Sequence, residues 1–252
     1  MNNIFIVGAQ RSGTTYLYHI LNSHPQVTMA QPIRPEPKFF LDEKQYGNGR
    51  SFYEDKYFSS YPLETRYLGE KSTSYIESSA AAQRIHDFYP DARVVIILRD
   101  PVLRAWSNYR FSVQNGLESL DFESAIAAER ERIKDAAFGS SVNPYAYRRR
   151  GQYMDFIEDY LKVFDSGQLY VVIFEEIVGS LTGVQSLYRW LGVDNDFSPA
   201  ALGEVFNPAD KEEVAPTAVL RDLAFGYQQS LERLEKHLGR PISNWRRSWE
   251  AL

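Results

Sequence analysis

One segment near the start of the chain predicts the fold. It runs Ile4-Phe5-Ile6-Val7-Gly8-Ala9-Gln10-Arg11-Ser12-Gly13-Thr14-Thr15-Tyr16-Leu17. The four apolar, mostly β-branched residues at its start predict a buried strand. A polar turn follows, and the helical spacing of Leu17, Ile20 and Leu21 then predicts a helix. A strand, a Gly-containing turn and a helix N-terminus together form a cradle of backbone N–H groups that suits an anion.

The glycines of this turn have the spacing of a nucleotide-binding loop. Gly8 and Gly13 match the frame Gly-x-x-x-x-Gly, but Thr14 stands where nucleoside triphosphatases carry a lysine. Because that lysine contacts the β- and γ-phosphates, its absence disfavours a nucleoside triphosphate, while Arg11 offers a cation earlier in the loop. The alternative is a plain strand-to-helix turn in which Ser12 caps the helix and no ligand binds.

Strand and helix patterns alternate along the rest of the chain. Residues 93–98, which are all apolar after Arg93, and residues 169–173 form runs that are typical of strands buried on both faces of a parallel sheet. Helical spacing of apolar residues indicates helices over residues 102–113, 122–136 and 149–164. We therefore predict an α/β, P-loop-like fold with a mostly parallel central sheet flanked by helices on both sides. Since no repeat or long linker interrupts the pattern, we expect one domain over residues 1–252.

The composition limits the class of protein. The chain has 252 residues, of which 44% are hydrophobic and 24% are charged, as in globular proteins. Its net charge of −5 disfavours a nucleic-acid partner, and the lack of cysteine excludes disulfides and a cysteine nucleophile. The first predicted strand begins at Ile4, and no apolar run approaches the roughly 20 residues that span a bilayer. We expect a cytoplasmic protein that does not bind membranes.

Charged residues follow several predicted strands. Arg11, Glu70, Lys71 and Arg99 all stand at such positions, and ligands of open α/β sheets bind outside the carboxyl ends of the strands. Neighbouring residues of a strand face opposite ways, so we expect only one of Glu70 and Lys71 to face a ligand.

Several motifs resemble those of sulfotransferases that use 3′-phosphoadenosine 5′-phosphosulfate (PAPS). Arg11-Ser12-Gly13-Thr14-Thr15 resembles their 5′-phosphosulfate loop, and the resemblance continues in order through Pro35-Glu36-Pro37-Lys38-Phe39-Phe40, Gly69-Glu70-Lys71-Ser72, Leu98-Arg99-Asp100-Pro101 and Ser107. It covers about residues 4 to 195 and is most similar to the carbohydrate branch, which includes the heparan sulfate N- and 3-O-sulfotransferases and bacterial relatives. The resemblance implies transfer of a sulfuryl group from PAPS to a hydroxyl or amine of a carbohydrate or small-molecule acceptor. Adenosine 3′,5′-bisphosphate is then the product, and no metal is required.

The resemblance also implies roles for individual residues. Arg99 and Ser107 match the pair that holds the 3′-phosphate of the donor, and Arg150 lies in a basic run that approaches the nucleotide or the acceptor. The residues implied for the 5′-phosphosulfate are Arg11, Ser12, Gly13, Thr14 and Thr15.

Three further residues match catalytic positions of the family. Glu36 matches the general base, which the chemistry needs because a neutral hydroxyl attacks sulfur poorly. Lys71 matches a lysine that points into the cleft, and Arg11 offsets charge on the departing phosphate. Glu70 is a second candidate base, and Lys38 is a candidate contact to sulfate or acceptor.

One segment departs from the family, and two other functions stay open. The family closes over the nucleotide with a basic, Gly-containing loop at residues 207–216, where this chain has Lys211-Glu212-Glu213. A P-loop kinase using ATP and Mg²⁺ is one alternative, with Asp100 as its strand-end acid. A nucleotide-binding module without catalysis is the other. The amphipathic segment from Trp245 to Trp249 is compatible with a homo-oligomer.

Overall fold

The structure, a computed structural model, describes residues 1–134, 143–204, 206 and 214–252. The chain divides into two compact units. The sheet unit comprises Met1–Leu98 and Phe156–Asn207, and the helical unit comprises Arg99–Asp155 and Pro208–Leu252. The expected single domain stays a prediction. Residues 207–213 of the segment that departs from the family lie outside the described residues.

Five parallel strands form the centre of the sheet unit. They are β1 (Asn2–Gly8), β2 (Val27–Met29), β3 (Tyr67–Lys71), β4 (Arg93–Leu98) and β5 (Leu169–Ile173). The strand order is β2-β3-β1-β4-β5, and each neighbouring pair runs parallel. The mainly apolar runs thus predicted β4 and β5 with their observed bounds. The register aligns Ile6 with Lys71, and Gly8 with Ile96.

Helices connect and flank the strands. They are, in chain order, α1 (Thr14–Asn22), α2 (Glu43–Tyr46), α3 (Gly49–Tyr57), α4 (Ser79–Phe88), α5 (Pro101–Gln114), α6 (Phe122–Arg132), α7 (Tyr153–Leu161), α8 (Phe174–Ile177), α9 (Leu181–Leu191), α10 (Thr217–Leu238) and α11 (Ser243–Glu250). Short 3₁₀ turns cover Tyr75–Glu77, Arg149–Gly151, Ser166–Gln168 and Ala200–Gly203. Within the described ranges, no helix is both long and apolar enough to cross a bilayer.

The sheet is buried on both faces, as the sequence predicts. Ile4 and Ile6 of β1 belong to a core cluster with residues of α1 and α9. Phe5 points to the opposite face, where its ring lies edge-on to Phe40 at 5.6 Å and 5.8 Å from Tyr89. Burying one such side chain contributes roughly 1.5–3 kcal/mol, so apolar residues on both faces favour a central strand. The predicted P-loop-like α/β fold is therefore confirmed.

Side-chain caps fix the starts of several helices. The side chains of Ser78, Asp100, Asp121 and Ser180 accept hydrogen bonds from first-turn N–H groups of α4, α5, α6 and α9. Each such cap contributes about 1 kcal/mol. Asp100 with Pro101 after it was predicted as a helix start, and α5 begins there.

Two predicted helices differ from those observed. The helix predicted over residues 122–136 ends at Arg132, with Ile133 as its C-cap, and Ala136 lies outside the described residues. The helix predicted over residues 149–164 is a 3₁₀ turn followed by α7, because Gln152 between them has non-helical backbone angles of φ −81° and ψ 63°.

Candidate active site

The turn between β1 and α1 is a tight loop held to the neighbouring strand. The N–H of Ala9 donates to the carbonyl of Ile97 at 2.8 Å, and the N–H of Ser12 donates back to Ala9 at 3.2 Å. Arg11 and Gly13 both lie in the left-handed region, with φ of 63° and 90°. These angles turn the chain from the strand into the helix within a few residues.

Gly13 is required here for two reasons. Its φ of 90° disfavours any residue with a side chain, and a Cβ at this position would lie 2.5 Å from Cδ2 of Phe174. Gly13 is also the N-cap of α1. Since glycine has no side chain with which to cap, the first N–H groups of α1 need another partner, and an anion is one that suits a helix N-terminus.

Ser12 carries the clearest sign of a ligand in this loop. Its side chain is fully buried, and its Oγ has no hydrogen-bond partner among the described residues. A buried hydroxyl without a partner costs about 1–3 kcal/mol, so native structures seldom keep one without a reason. The residues present therefore fit a bound anionic group that supplies the missing partner.

Glu36 and Lys71 form an ion pair across 35 positions of sequence. Nζ of Lys71 donates to Oε1 of Glu36 at 2.7 Å, and the two side chains are 3% and 15% exposed for Lys71 and Glu36. Lys71 is the last residue of β3. In the strand register it lies opposite Ile6, which is two positions before Gly8. Adjacent strands lie about 4.8 Å apart, so the ion pair lies at the sheet edge from which the loop emerges.

Thr73 completes the surroundings of Glu36, and sequence reasoning missed it. Its N–H donates to Oε2 at 3.0 Å, and its hydroxyl lies 3.0 and 3.2 Å from the two carboxylate oxygens. Together with Lys71, it offers Glu36 only donors, so the carboxyl group acts purely as an acceptor. The signal available in the sequence was the position of Thr73 just beyond a strand end, where backbone N–H groups leave the sheet pairing.

Glu70 has different partners from its neighbour Lys71. The hydroxyl of Tyr53 donates to Oε2 at 2.7 Å, and the hydroxyl of Ser72 donates to Oε1 at 2.6 Å. Burial raises the pKa of Glu70 from 4.5 to about 7, while hydrogen bonds from Ser72, Tyr75 and Tyr53 oppose the rise. As the alternation of strand residues predicts, only Lys71 of this adjacent pair contacts Glu36.

The helical unit contains the other three predicted site residues. Arg99 follows β4 directly, is half-buried, and its carbonyl accepts from the hydroxyl of Tyr153 at 2.6 Å. Ser107 is half-buried on α5, and the next residue, Asn108, accepts from Nη1 of Arg150 at 3.2 Å. Arg150 is only 3% exposed and also donates to the carbonyl of Asn143. Thus Arg150 is buried and bonded to the residue that follows Ser107 in α5.

The chain belongs to the sulfotransferase family. The model of the family described as "Sulfotransferase family" matches residues 3–56 and 49–198, which is more than half of the chain. A crystal structure of a sulfotransferase from Alicyclobacillus acidocaldarius is similar at a TM-score of 0.80 and 30% identity, covering 98% of this chain and 99% of that one. These findings confirm the resemblance drawn from the motifs.

Curated relatives include enzymes that act on heparan sulfate. The mouse heparan sulfate glucosamine 3-O-sulfotransferase 3A1 is 29% identical over 178 residues, which is 71% of this chain and 42% of that protein. The human bifunctional heparan sulfate N-deacetylase/N-sulfotransferase 2 is 28% identical over 201 residues, 75% of this chain and 22% of that protein. The membrane-associated sulfotransferase kil1 of Dictyostelium discoideum is 33% identical over 156 residues, 59% of this chain and 32% of that protein. The chain thus spans less than half the length of these relatives.

Glu70→Gln should change how stability depends on pH. The raised pKa means that the folded state holds this proton more tightly than the unfolded state. The stability that the bound proton contributes is complete below pH 4.5 and is lost as the pH rises through about 7. The free energy of unfolding of the variant, relative to that of the wild type, should therefore rise by roughly 2–3 kcal/mol as the pH is raised from about 5 to 8. Urea unfolding measures this difference.

Glu64→Gln is the matched control for this measurement, because Glu64 is exposed in the segment before β3. The control should not reproduce the pH-dependent gain in stability of Glu70→Gln. A similarly constant difference for Glu70→Gln would show that the carboxyl group does not titrate in this range.

Proposed function

We propose that the chain is an enzyme that transfers a sulfuryl group from PAPS to a hydroxyl or amine of an acceptor. The observation that carries the proposal is the Glu36–Lys71 ion pair, which lies at the same sheet edge as the anion-binding loop. A base and a cation beside an anion site are what in-line transfer to a weak nucleophile requires. Membership of the sulfotransferase family supports the same reaction.

The donor is proposed to bind through its charged groups. Arg11, Ser12, Gly13, Thr14 and Thr15 supply the loop for the 5′-phosphosulfate, and the unpaired hydroxyl of Ser12 supports this assignment. For the 3′-phosphate we retain Arg99 and Ser107, since guanidinium and hydroxyl groups are strong donors to phosphate oxygens. Arg150, which donates to Asn108 of the same helix, is retained from the family resemblance for the same part of the donor.

In the proposed step, an oxygen or nitrogen of the acceptor forms a bond to sulfur while the bond from sulfur to the phosphate oxygen breaks. Glu36 accepts the proton that the acceptor loses. The phosphate oxygen leaves with the electron pair of the broken bond, and Arg11 and the N–H groups of the loop offset its charge. Lys71 stabilises the charge on the sulfuryl oxygens and keeps Glu36 in place. The residues thus supply the charges that a metal supplies in many phosphoryl transfers.

The structure gives physical reasons against the two alternatives. A kinase would need Asp100 for Mg²⁺, but its Oδ1 accepts from Val102 at 2.9 Å, and the indole of Trp249 donates to both oxygens at 3.1 Å. Asp100 is therefore used as a buried helix cap. A binding module without catalysis would not require Glu36 to be held by three donors beside the loop.

The names of the relatives favour a carbohydrate acceptor with a free hydroxyl or amine, and glucosamine is the first residue to test. A small-molecule acceptor remains the alternative within the proposal. We retain a cytoplasmic location without membrane or nucleic-acid partners, and a homo-oligomer as compatible with the sequence.

Donor selection is the first test of this function. Because Thr14 replaces the lysine that contacts β- and γ-phosphates, adenosine 3′,5′-bisphosphate should bind at least about tenfold more tightly than ATP, or about 1.4 kcal/mol. Isothermal titration calorimetry with and without EDTA measures both affinities. Tighter binding of ATP that depends on Mg²⁺ would reject the sulfotransferase and favour the kinase.

Ser12→Ala should separate ligand binding from folding. The wild-type hydroxyl is buried without a partner among the described residues, so its removal should leave the melting temperature unchanged or raised. Affinity for adenosine 3′,5′-bisphosphate should fall by about tenfold, the value of one hydrogen bond to a charged group. A clear loss of thermal stability with unchanged affinity would show that Ser12 has a structural partner instead.

Glu36→Gln should abolish proton acceptance while it preserves the size of the side chain. Turnover should fall by about 10²–10⁴, the usual contribution of a general base, whereas affinity for adenosine 3′,5′-bisphosphate should change little. Single-turnover transfer and calorimetry measure the two quantities, with Glu64→Gln as the control. If Glu36→Gln kept its activity while Glu70→Gln lost it and remained folded, Glu70 would be the base.

A further inference from the structure

Glu36 is carried by a short loop whose backbone is tied down at two places. This base loop comprises residues 35–40. The N–H of Lys38 donates to Oγ of Ser72 at 2.9 Å, and the N–H of Phe40 donates to the hydroxyl of Tyr75 at 3.2 Å. Both anchors belong to the segment that follows β3 and not to the base loop itself. The position of Glu36 therefore depends on these two hydroxyl groups.

One of the two anchors depends on a buried carboxyl group. Ser72 donates its own hydrogen to Oε1 of Glu70 at 2.6 Å. A hydroxyl that donates to a carboxylate is polarised and becomes a better acceptor for the next donor. Glu70 thus fixes the direction of the Ser72 hydroxyl and strengthens its hold on the N–H of Lys38.

The base loop needs such a hold because its backbone is strained at Lys38. This residue has a φ of 50°, which residues with side chains seldom adopt. Such a conformation is unfavourable and persists only where the surroundings enforce it. Since Lys38 stands two residues from Glu36, relaxation of this bend would move the carboxylate that the proposed reaction uses.

Glu70 is poorly placed to act on a substrate itself. It is 1% exposed, and its two oxygens accept from Tyr53 and Ser72. A general base must reach the proton that it removes, and Glu70 lies behind the residues that hold it. Glu36, in contrast, is partly exposed.

We propose that Glu70 is a positioning residue, which acts through Ser72 to hold the base loop and thereby aim Glu36 at the acceptor. The inference rests on the proposed function of Glu36 but assigns Glu70 a separate part in the reaction. Ser72 is the relay between them, and Tyr53 fixes the other oxygen of Glu70.

The first arm of the experiment measures how well the Lys38 amide of the base loop is protected by its hydrogen bond, without any reaction. Amide hydrogen exchange of Lys38 is followed by NMR in the wild type, Ser72→Ala and Glu70→Gln. Both variants should accelerate this exchange about tenfold or more and leave the amides of α9 unchanged. Ser74→Ala is the matched control, since Ser74 is also buried but its Oγ has no hydrogen-bond partner in the part of the chain that the structure describes. Equal exchange of Lys38 in Ser72→Ala and Ser74→Ala would overturn the proposal.

The second arm asks whether Ser72 acts through Glu36. Single-turnover transfer from PAPS to an unsulfated glucosamine-containing oligosaccharide is measured for Ser72→Ala, Glu36→Gln and the double variant. Ser72→Ala alone should slow transfer about tenfold with donor affinity unchanged, yet in the Glu36→Gln background it should change the rate less than about twofold. Multiplicative losses in the double variant would overturn the proposal, because Ser72 would then act on something other than Glu36. A wild-type chain that transfers nothing would contradict the proposed function, while the exchange arm would still decide whether Glu70 holds the loop.

Discussion

The parallel pairing of β1 with β3 is the constraint on which the candidate site depends. It aligns Ile6 with Lys71, and the N–H of Ser72 then donates to the carbonyl of Ile6 at 3.1 Å. Since both strands end at the same edge, the anion-binding loop after β1 and the polar residues after β3 leave the sheet as neighbours. Neither segment would form the site alone, because the loop has no base and the end of β3 has no anion cradle.

The alternation of side chains along β3 assigns opposite tasks to two adjacent charged residues. Lys71 pairs with Glu36, whereas Glu70 is enclosed by Tyr53 and Ser72. Because a slip of one residue in register would exchange the two faces, the pairing of β3 must be strictly determined. Apolar neighbours favour one register: a Cβ at Gly69 would lie 2.2 Å from Sδ of Met29 and 2.9 Å from Cγ2 of Ile4, so the side chains of β2 and β1 pack closely over a residue without one.

The sequence predicted the parts of the structure that depend on local pattern. Apolar runs predicted β4 and β5, and Asp100 with Pro101 predicted the start of α5. The ion pair between Glu36 and Lys71 was not predictable from spacing, since 35 residues separate its members, and only the family resemblance suggested that both act in one site.

Contacts made by tertiary folding escaped sequence reasoning altogether. The sequence placed Thr73 just beyond a strand end but did not identify Glu36 as its partner, and it did not indicate that Tyr53 would be buried against Glu70. The run of arginines at residues 148–150 shows the same limit. Arg148 and Arg149 have exposed ion-paired side chains, as charge runs usually do, whereas Arg150 is buried because Asn108 and the carbonyl of Asn143 bind it.

Stability alone does not account for the polar groups at this sheet edge. A buried ion pair contributes little net stability, because the desolvation of both charges offsets their attraction, although the loss of one partner costs about 3–5 kcal/mol. The strained φ of Lys38 and the unpaired hydroxyl of Ser12 among the described residues add further cost.

Apolar residues of similar size would relieve much of this cost, so a chain selected only for stability would not keep this set of groups. The Glu36–Lys71 ion pair, Lys38 and Ser12 all lie in segments that follow β1 and β3 or are tied to those segments. We therefore infer that the rest of the sheet unit, with a core buried on both faces, stabilises an edge whose polar groups are those that the proposed binding and proton transfer require.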